Sequence, residues 1–200
     1  MNIQLLINWT ETEAQSGARF ERRDPFTGEV ATSAAAAGVA DVDAAVAAAA
    51  QAFDGWSKTA PSVRRDLLLK AADIMDAKAP DFTRLMISET GATGPWSGFN
   101  VMLAASMLRE AASMTTQITG EIIPANKPGT LSMAVRQAAG VCVGIAPWNA
   151  PVILGVRAVA MALACGNTVV LKASELCPGT HQLIGACLIE AGLPAGAINV

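Results

Sequence analysis

In the stretch Gly144–Pro151, GIAPWNAP, Asn149 is the only side-chain amide between Gln137 and Asn167. An amide at the point where an apolar strand gives way to an apolar helix has two uses. It caps the helix, or its N–H groups face an oxygen that gains negative charge during a reaction. In the second role one neutral donor lowers a barrier by roughly 2.7–4 kcal/mol. Further on, KASE sets Lys172 and Glu175 three residues apart at the end of another apolar run. One donor and one carboxylate acceptor can hold both hydroxyls of a ribose diol, and the carboxylate repels a 2′-phosphate, favouring NAD over NADP. The bland alternative is a solvated ion pair that caps the next helix. The four cysteines, Cys142, Cys165, Cys177 and Cys187, include no CxxC pair, and His181 is the only histidine. That set offers no metal site, and each cysteine reads as a small core residue. His181 lies against the apolar stripe of its helix and reads as structural.

The elements that must position these groups follow from periodicity. VCVGIAP predicts a strand and PVILGVRAVAMALA a buried helix ending at Cys165-Gly166. NTVVLKA predicts a second strand. PGTHQLIGACLIEAG predicts an amphipathic helix with Gly192 as its left-handed cap, and AINV begins a third strand. This β-α-β-α-β pattern is that of a doubly wound, Rossmann-type nucleotide-binding sheet, whose ligands sit at the carboxyl ends of the strands. The GxGxxG signature is missing, since the first turn is APWNAP.

Upstream, residues 1–119 read as a β-rich start followed by helices. RRDPFTGEV predicts a turn between short strands. DVDAAVAAAAQAFDGW predicts a helix with Asp41 at its N-cap and Gly55 beyond its C-terminus. A second helix opens at Pro61 and buries Leu67, Leu68, Ala71, Ile74 and Met75. Pro80 breaks it, and a shorter helix runs to about Glu89. TGATGPWSG reads as a loop and Val101 to Ile118 as helix. Residues 120–138 read as a protruding hairpin with long arms, Leu131, Met133 and Val135 on one side, a surface that a second subunit can cover.

With 52% hydrophobic and 16% charged residues in a chain of 200, the sequence is that of a globular domain with a sizeable core. A net charge of −3 without a basic run argues against nucleic acid and anionic membrane as partners. The longest apolar region, Val141 to Ala164, is interrupted by Pro147, Trp148, Asn149, Pro151 and Arg157 and reads as core, not membrane span. With no signal-like N-terminus, a cytoplasmic protein is expected.

GIAPWNAPVILG, LACGNTVVLKASE and EAGLPAGAINV, in this order and after DPFTGE and DVDAAV, closely resemble the aldehyde dehydrogenase superfamily. APWNAPVILGVRA is similar to its branch acting on aromatic aldehydes of the salicylaldehyde, vanillin or benzaldehyde type. The resemblance implies NAD(P)-dependent oxidation of an aldehyde to the acid through a cysteine thiohemiacetal and thioester, by a homodimer or homotetramer joined through the hairpin. It assigns Asn149 to the oxyanion hole, and Ile145, Ala146, Pro147 and Trp148, together with Asn149, to the nicotinamide side of the cofactor. Lys172, Ser174 and Glu175 fall at the adenosine ribose, while Trp96, Ala150, Leu154 and Arg157 line the aldehyde tunnel. Ala173 stands where proline is common. Arg157, the one charge in its helix, then reads as a buried group facing a ring substituent or paired with an internal carboxylate or a subunit neighbour. The nucleophilic cysteine and basic glutamate are implied beyond residue 200, making this chain an N-terminal fragment, with an incomplete NAD-binding domain and no catalytic domain, inactive alone. A non-catalytic nucleotide-binding relative and a CoA-acylating semialdehyde dehydrogenase are the alternatives.

Overall fold

In the computed structural model, which describes residues 1–200, five short strands open the chain: β1 (Asn2–Ile3), β2 (Leu5–Ile7), β3 (Thr10–Thr12), β4 (Arg19–Arg23) and β5 (Val30–Ala35). β4 and β5 pair antiparallel across the expected turn. There the Asp24 carboxylate accepts the Phe26 N–H at 2.8 Å and the Gly28 N–H reaches the Asp24 carbonyl at 2.9 Å. β1 joins β5 in parallel.

Four helices follow: α1 (Val39–Ser57), α2 (Pro61–Ala77), α3 (Ala79–Thr90) and α4 (Gly94–Met114). Asp41 is not the N-cap of α1. Gly38 is, and Asp41 sits three residues in, its carboxylate accepting the Gly38 N–H at 2.8 Å and the Gln15 N–H at 2.9 Å. The carboxylate thus closes a capping box and ties the helix to the preceding loop. Gly55 lies inside α1, not past its end. Pro61 opens α2, and the shorter helix expected after the break is α3, which carries Pro80 in its first turn and ends at Thr90. Only Gly91, Ala92 and Thr93 of TGATGPWSG are loop. Thr93 caps α4, its Oγ1 accepting the Trp96 N–H at 3.4 Å, and Pro95 fills the first turn. The helix therefore starts seven residues before Val101 and stops at Met114, four short of Ile118.

β6 (Glu121–Ile123) and β7 (Ser132–Ala134) form the hairpin, with arms of three residues and not the long ones expected. Leu131 and Val135 fall just outside the ladder, and with Ile122 and Met133 they remain exposed. Then come β8 (Val141–Ile145), α5 (Pro151–Ala164), β9 (Thr168–Lys172), α6 (Pro178–Ala191) and β10 (Ile198–Asn199). The three strands are parallel, in the order β10-β9-β8. The two faces of β8 separate cleanly. A Cβ on Gly144 would stand 2.9 Å from the Ala158 Cβ, so α5 lies on that face. The opposite face carries Val141 and its register partner Thr168, whose hydroxyl reaches the Ala49 carbonyl of α1 at 2.9 Å. Helices on both faces make this the doubly wound arrangement expected. α6 ends in Gly192 at φ 107°, the left-handed cap read from the sequence. One apolar cluster runs from Trp56 of α1 through Leu68, Phe82 and Leu108 to Leu163, Leu171, Leu188 and Ile198. Residues 1–119 and 139–200 thus share a core. No helix is long and apolar enough to cross a membrane.

Three buried polar side chains join elements distant in sequence. The Arg64 guanidinium of α2 donates to the Ala164 carbonyl at the end of α5 at 3.0 Å and to the Thr59 carbonyl, satisfying orphan groups where the helix dipole is negative. Glu89 of α3, fully buried, caps α6 from outside. Its carboxylate takes the Gly179 N–H (2.8 Å), the Thr180 N–H (3.0 Å), the Thr180 hydroxyl (2.8 Å) and the Thr32 hydroxyl of β5 (2.9 Å). Burial pushes this carboxyl up, and those donors oppose the shift.

His181, also fully buried, accepts the Ser174 N–H through Nδ1 at 3.0 Å and stands with Nε2 3.1 Å from the Pro151 carbonyl. A carbonyl only accepts, so these partners assign the proton to Nε2 in a neutral ring. Burial, with the Lys172 charge adding to it, pushes the ring down from 6.5 to about 4.

Replacing Glu89 with alanine leaves the α6 donors buried without an acceptor, and should cost about 3 kcal/mol in urea unfolding of the protein. A loss below about 1 kcal/mol would refute the outside cap. For His181 the unfolded ring binds protons between pH 6.5 and about 4 where the folded ring does not. Its contribution is therefore complete above that window and is lost as pH falls through it, by about 3 kcal/mol in all. Unfolding free energies at pH 7, 6 and 5 should decline more steeply for the native protein than for His181→Gln; parallel slopes would count against it.

Candidate functional site

β8 and β9 end level with one another. Ile145 pairs with Lys172 in the ladder, and the Ala146 N–H donates to the Lys172 carbonyl at 3.2 Å. The chain leaves both strands at the same end of the sheet, so Pro147–Asn149 and Ala173–Glu175 form adjacent turns, each leading into a helix N-terminus.

In the first turn Ala146 is buried, while Pro147, Trp148 and Asn149 are exposed. Ala150, not Asn149, occupies the N-cap position of α5, with no side-chain cap. The capping reading of Asn149 therefore fails, and its side-chain amide makes no hydrogen bond within the chain. Its backbone is held instead, the carbonyl accepting the Trp96 indole N–H at 3.4 Å. The place of Trp96 follows from the early start of α4, whose first turn points this ring at Asn149. One turn on, Phe99 stacks against it with centroids 5.7 Å apart and planes 22° from parallel. Phe99 was missed because its segment read as loop; a Trp and Phe three apart after a Thr-Gly-Pro start was the available signal. Beneath them Asn100 donates to the Trp96 carbonyl at 3.0 Å and leaves its own Oδ1 buried without a partner.

Along α5, Ala150 is buried and Leu154 half-buried. Arg157 is exposed and joins no ion pair, which corrects the expectation of a buried or internally paired charge. Leu154, Arg157 and Met161 follow one another on a face that this chain leaves uncovered; Met161 is 44% exposed.

In the second turn the Lys172 ammonium stands 3.4 Å from the Glu175 carboxylate, both well exposed. A backbone N–H and Lys172 hold the Glu175 carboxyl below its usual range, so it is ionised. The pair caps nothing, since the N-cap of α6 is Cys177. Ser174 is buried, its hydroxyl accepting the Leu176 N–H at 3.2 Å and its own N–H going to His181. These residues border a cleft of about 540 Å³, between α1 and the sheet face carrying Val143 and Ile145. Val42 and Val46 of α1 line its far wall.

None of the cysteines joins this group. Cys177 and Cys187 are buried, and burial pushes both thiols up to about 12, which removes the thiolate needed for attack. Cys142 lies within β8, and Cys165 follows the far end of α5. No cluster of three His, Cys, Asp or Glu side chains could hold a metal. What the two turns present is an unengaged neutral N–H donor and, beside it, a cation and a carboxylate at the lip of an apolar cleft. That set suits a sugar diol and an oxygen gaining charge.

Comparison with known proteins agrees with the motifs. The sequence profile of the Aldehyde dehydrogenase family matches residues 9–200. A vanillin dehydrogenase of Pseudomonas sp. (strain HR199 / DSM 7063) is 61% identical over 199 residues, covering 100% of this chain and 41% of its own length. A crystal structure of a salicylaldehyde dehydrogenase from Pseudomonas putida G7 complexed with salicylaldehyde superposes with a TM-score of 0.97 at 49% identity, covering 100% of this chain and 41% of that one. A NAD-dependent benzaldehyde dehydrogenase from Corynebacterium glutamicum gives 0.95 at 34% identity, covering 98% and 43%. This chain thus spans about two-fifths of the length of the relatives it matches. By motif order, by fold and by identity along its length, it belongs to the aldehyde dehydrogenase family.

Proposed function

We propose that the full-length protein oxidises an aromatic aldehyde to its carboxylic acid with NAD, and that this chain supplies the cofactor side of the active site. The observation that carries the reading is the free Asn149 amide at the end of β8, level with the ionised Lys172–Glu175 pair at the end of β9. The residues fit the cofactor. Lys172 and Glu175 offer a donor and an acceptor to the adenosine ribose hydroxyls, with Ser174 shaping their turn from beneath. The Glu175 charge disfavours a 2′-phosphate, hence NAD over NADP. We assign Ile145, Ala146, Pro147 and Trp148 to the nicotinamide side. When bound, NAD supplies the acceptor for the hydride that leaves the aldehyde carbon.

The side chains here do the remaining work on this half of the site. As a nucleophile adds to the aldehyde carbon, the carbonyl oxygen gains negative charge, and the Asn149 N–H donates to it. None of the four cysteines is placed to be that nucleophile, so a thiol outside this chain fills the role, with a thiohemiacetal and then a thioester as its adducts. A glutamate outside this chain activates the water that releases the acid. The chain alone is therefore inactive. Trp96 and Phe99, with Ala150, Leu154 and Arg157, form the wall facing the aldehyde, and two stacked rings suit an aromatic substrate. The hairpin's exposed Ile122, Leu131, Met133 and Val135 suit a subunit contact, giving a cytoplasmic homodimer or homotetramer.

Asn149→Ala in the full-length enzyme should lower kcat by about 10²–10³-fold while leaving NAD affinity within about twofold. Retention of more than about a tenth of the native kcat would show that the amide is not the oxyanion donor. Arg157→Leu should reduce kcat/KM for salicylaldehyde about tenfold more than for benzaldehyde, because only the former brings a ring hydroxyl to the guanidinium. Equal losses on both substrates would remove Arg157 from recognition.

A further inference from the structure

We propose that His181 is a positioning residue of the active site, its imidazole holding the asparagine turn and the ribose turn in one fixed relation. This rests on the reading that Asn149 and the Lys172–Glu175 pair act as described above. The two turns belong to different strand–helix units, and each must keep its geometry when a cofactor lies across both. Where the chain leaves the strands, the Ala146 N–H bond to the Lys172 carbonyl is the last backbone link between them. Beyond it the imidazole is the bridge. Nδ1 accepts the N–H of Ser174, the residue before Glu175, at 3.0 Å. Nε2 lies 3.1 Å from the carbonyl of Pro151, two residues after Asn149.

The ring has no freedom to serve one turn without the other. It projects from the first turn of α6, fully buried. On the α5 side it lies against Gly155, where an added Cβ would come within 3.1 Å of the ring's Cδ2 and 2.5 Å of the Ile184 Cδ1. A glycine is thus what admits the ring beneath Pro151. The Cys177 sulfur flanks Nδ1 at 3.8 Å, and its thiol is uncharged. The charged groups nearby are Lys172 and Glu175 on the turn above and Glu89, bound to Gly179 and Thr180; none of them bonds the ring. Two neutral hydrogen bonds at right positions therefore set the spacing of the turns, and an error of an ångström in such placement is felt at the reacting atoms.

The two bonds can be removed separately. In His181→Asn the amide oxygen falls near the place of Nδ1 and keeps the Ser174 bond, but nothing reaches Pro151. In His181→Leu both bonds go. In the full-length enzyme, NAD affinity is read by fluorescence titration without aldehyde. Rate is read as kcat per active site with saturating benzaldehyde. The expected result is a split: His181→Asn keeps NAD affinity within about twofold while kcat falls about tenfold, and His181→Leu loses about tenfold in both, the scale of one hydrogen bond left unmade. If either variant lowers thermal stability but leaves kcat and NAD affinity at native values, or if His181→Asn loses both equally, the proposal is overturned. Should His181→Leu fail to fold, the split in His181→Asn decides alone. Asn149→Ala is measured alongside: native kcat there overturns the reading of the site itself. A collapsed kcat there, with no split at His181, overturns only the bridge.

Discussion

Two parallel strands that stop at the same level impose everything else about this site. In a parallel ladder each strand leaves the sheet in the same direction, so Ile145 opposite Lys172 means that both following turns emerge together. Each turn then feeds a helix that must run back over the sheet, and Pro151 and Pro178 set those helices at once, since proline suits a first turn whose N–H groups are unpaired anyway. The result is a small area holding two helix N-termini, two tight turns and the open end of a cleft. The hydrophobic burial beneath is unspecific by comparison. It brings the layers together, but the ladder register decides which side chains meet.

A core this poor in charge places its few buried polar groups under strict demands. Glu89, His181 and Arg64 are buried and carry hydrogen bonds between elements some thirty to a hundred residues apart. Each works at a helix end. Arg64 serves the carbonyl end of α5, Glu89 the amide end of α6, and His181 links the first turn of α6 to the first turn of α5. This is economical physics, because helix ends hold backbone groups that the helix itself leaves unpaired. An apolar replacement at any of the three would strand those groups where water does not reach. The polar groups accordingly tie α5 to α2, α6 to α3 and β5, and α5 to α6 at specific points, which the interchangeable Leu, Val and Ala of the core do not.

The second half of the chain was the more legible part. The alternation of apolar runs with Gly and Pro punctuation between Val141 and Asn199 corresponds to β8 through β10 nearly residue for residue, because a doubly covered parallel strand and a buried helix leave little room for other residue types. The placing of Lys172–Glu175 beside Pro147–Asn149 came with it. The misreadings share a cause: they turn on partners distant in sequence, or on chain that covers a face from elsewhere. Gly94 and Pro95 looked like loop because their helix is stabilised by the Thr93 cap and by packing of Val101 and Ala104 on the core. Asp41 looked like a cap because the loop residue Gln15, its second partner, is not adjacent. Glu89 and His181 looked ordinary, as a helix glutamate and a stripe histidine, since the Gly179 donor to the one and the Pro151 acceptor of the other lie about ninety and thirty residues away. Arg157 was assumed buried because its helix is, yet one face of α5 has no cover within this chain.

The freedom of the Asn149 amide is explained by what surrounds its backbone. A side-chain amide at a strand-to-helix turn ordinarily satisfies nearby backbone groups, because Asn competes well for them. Here three of the nearby carbonyls already have donors. The Asn149 carbonyl accepts the Trp96 indole, the Ala150 carbonyl accepts the Leu154 N–H at 2.9 Å, and the Pro151 carbonyl faces the His181 ring. Proline at 151 has no N–H for the amide to cap, so the nearest site for a capping bond is removed by covalent structure. With Ala150 at the N-cap position and no N–H at Pro151, the Asn149 amide bonds nothing in the turn and lies exposed. An indole and a buried imidazole thus bond the backbone of the turn, its proline offers no N–H, and the one amide side chain there is left exposed without a partner in the chain.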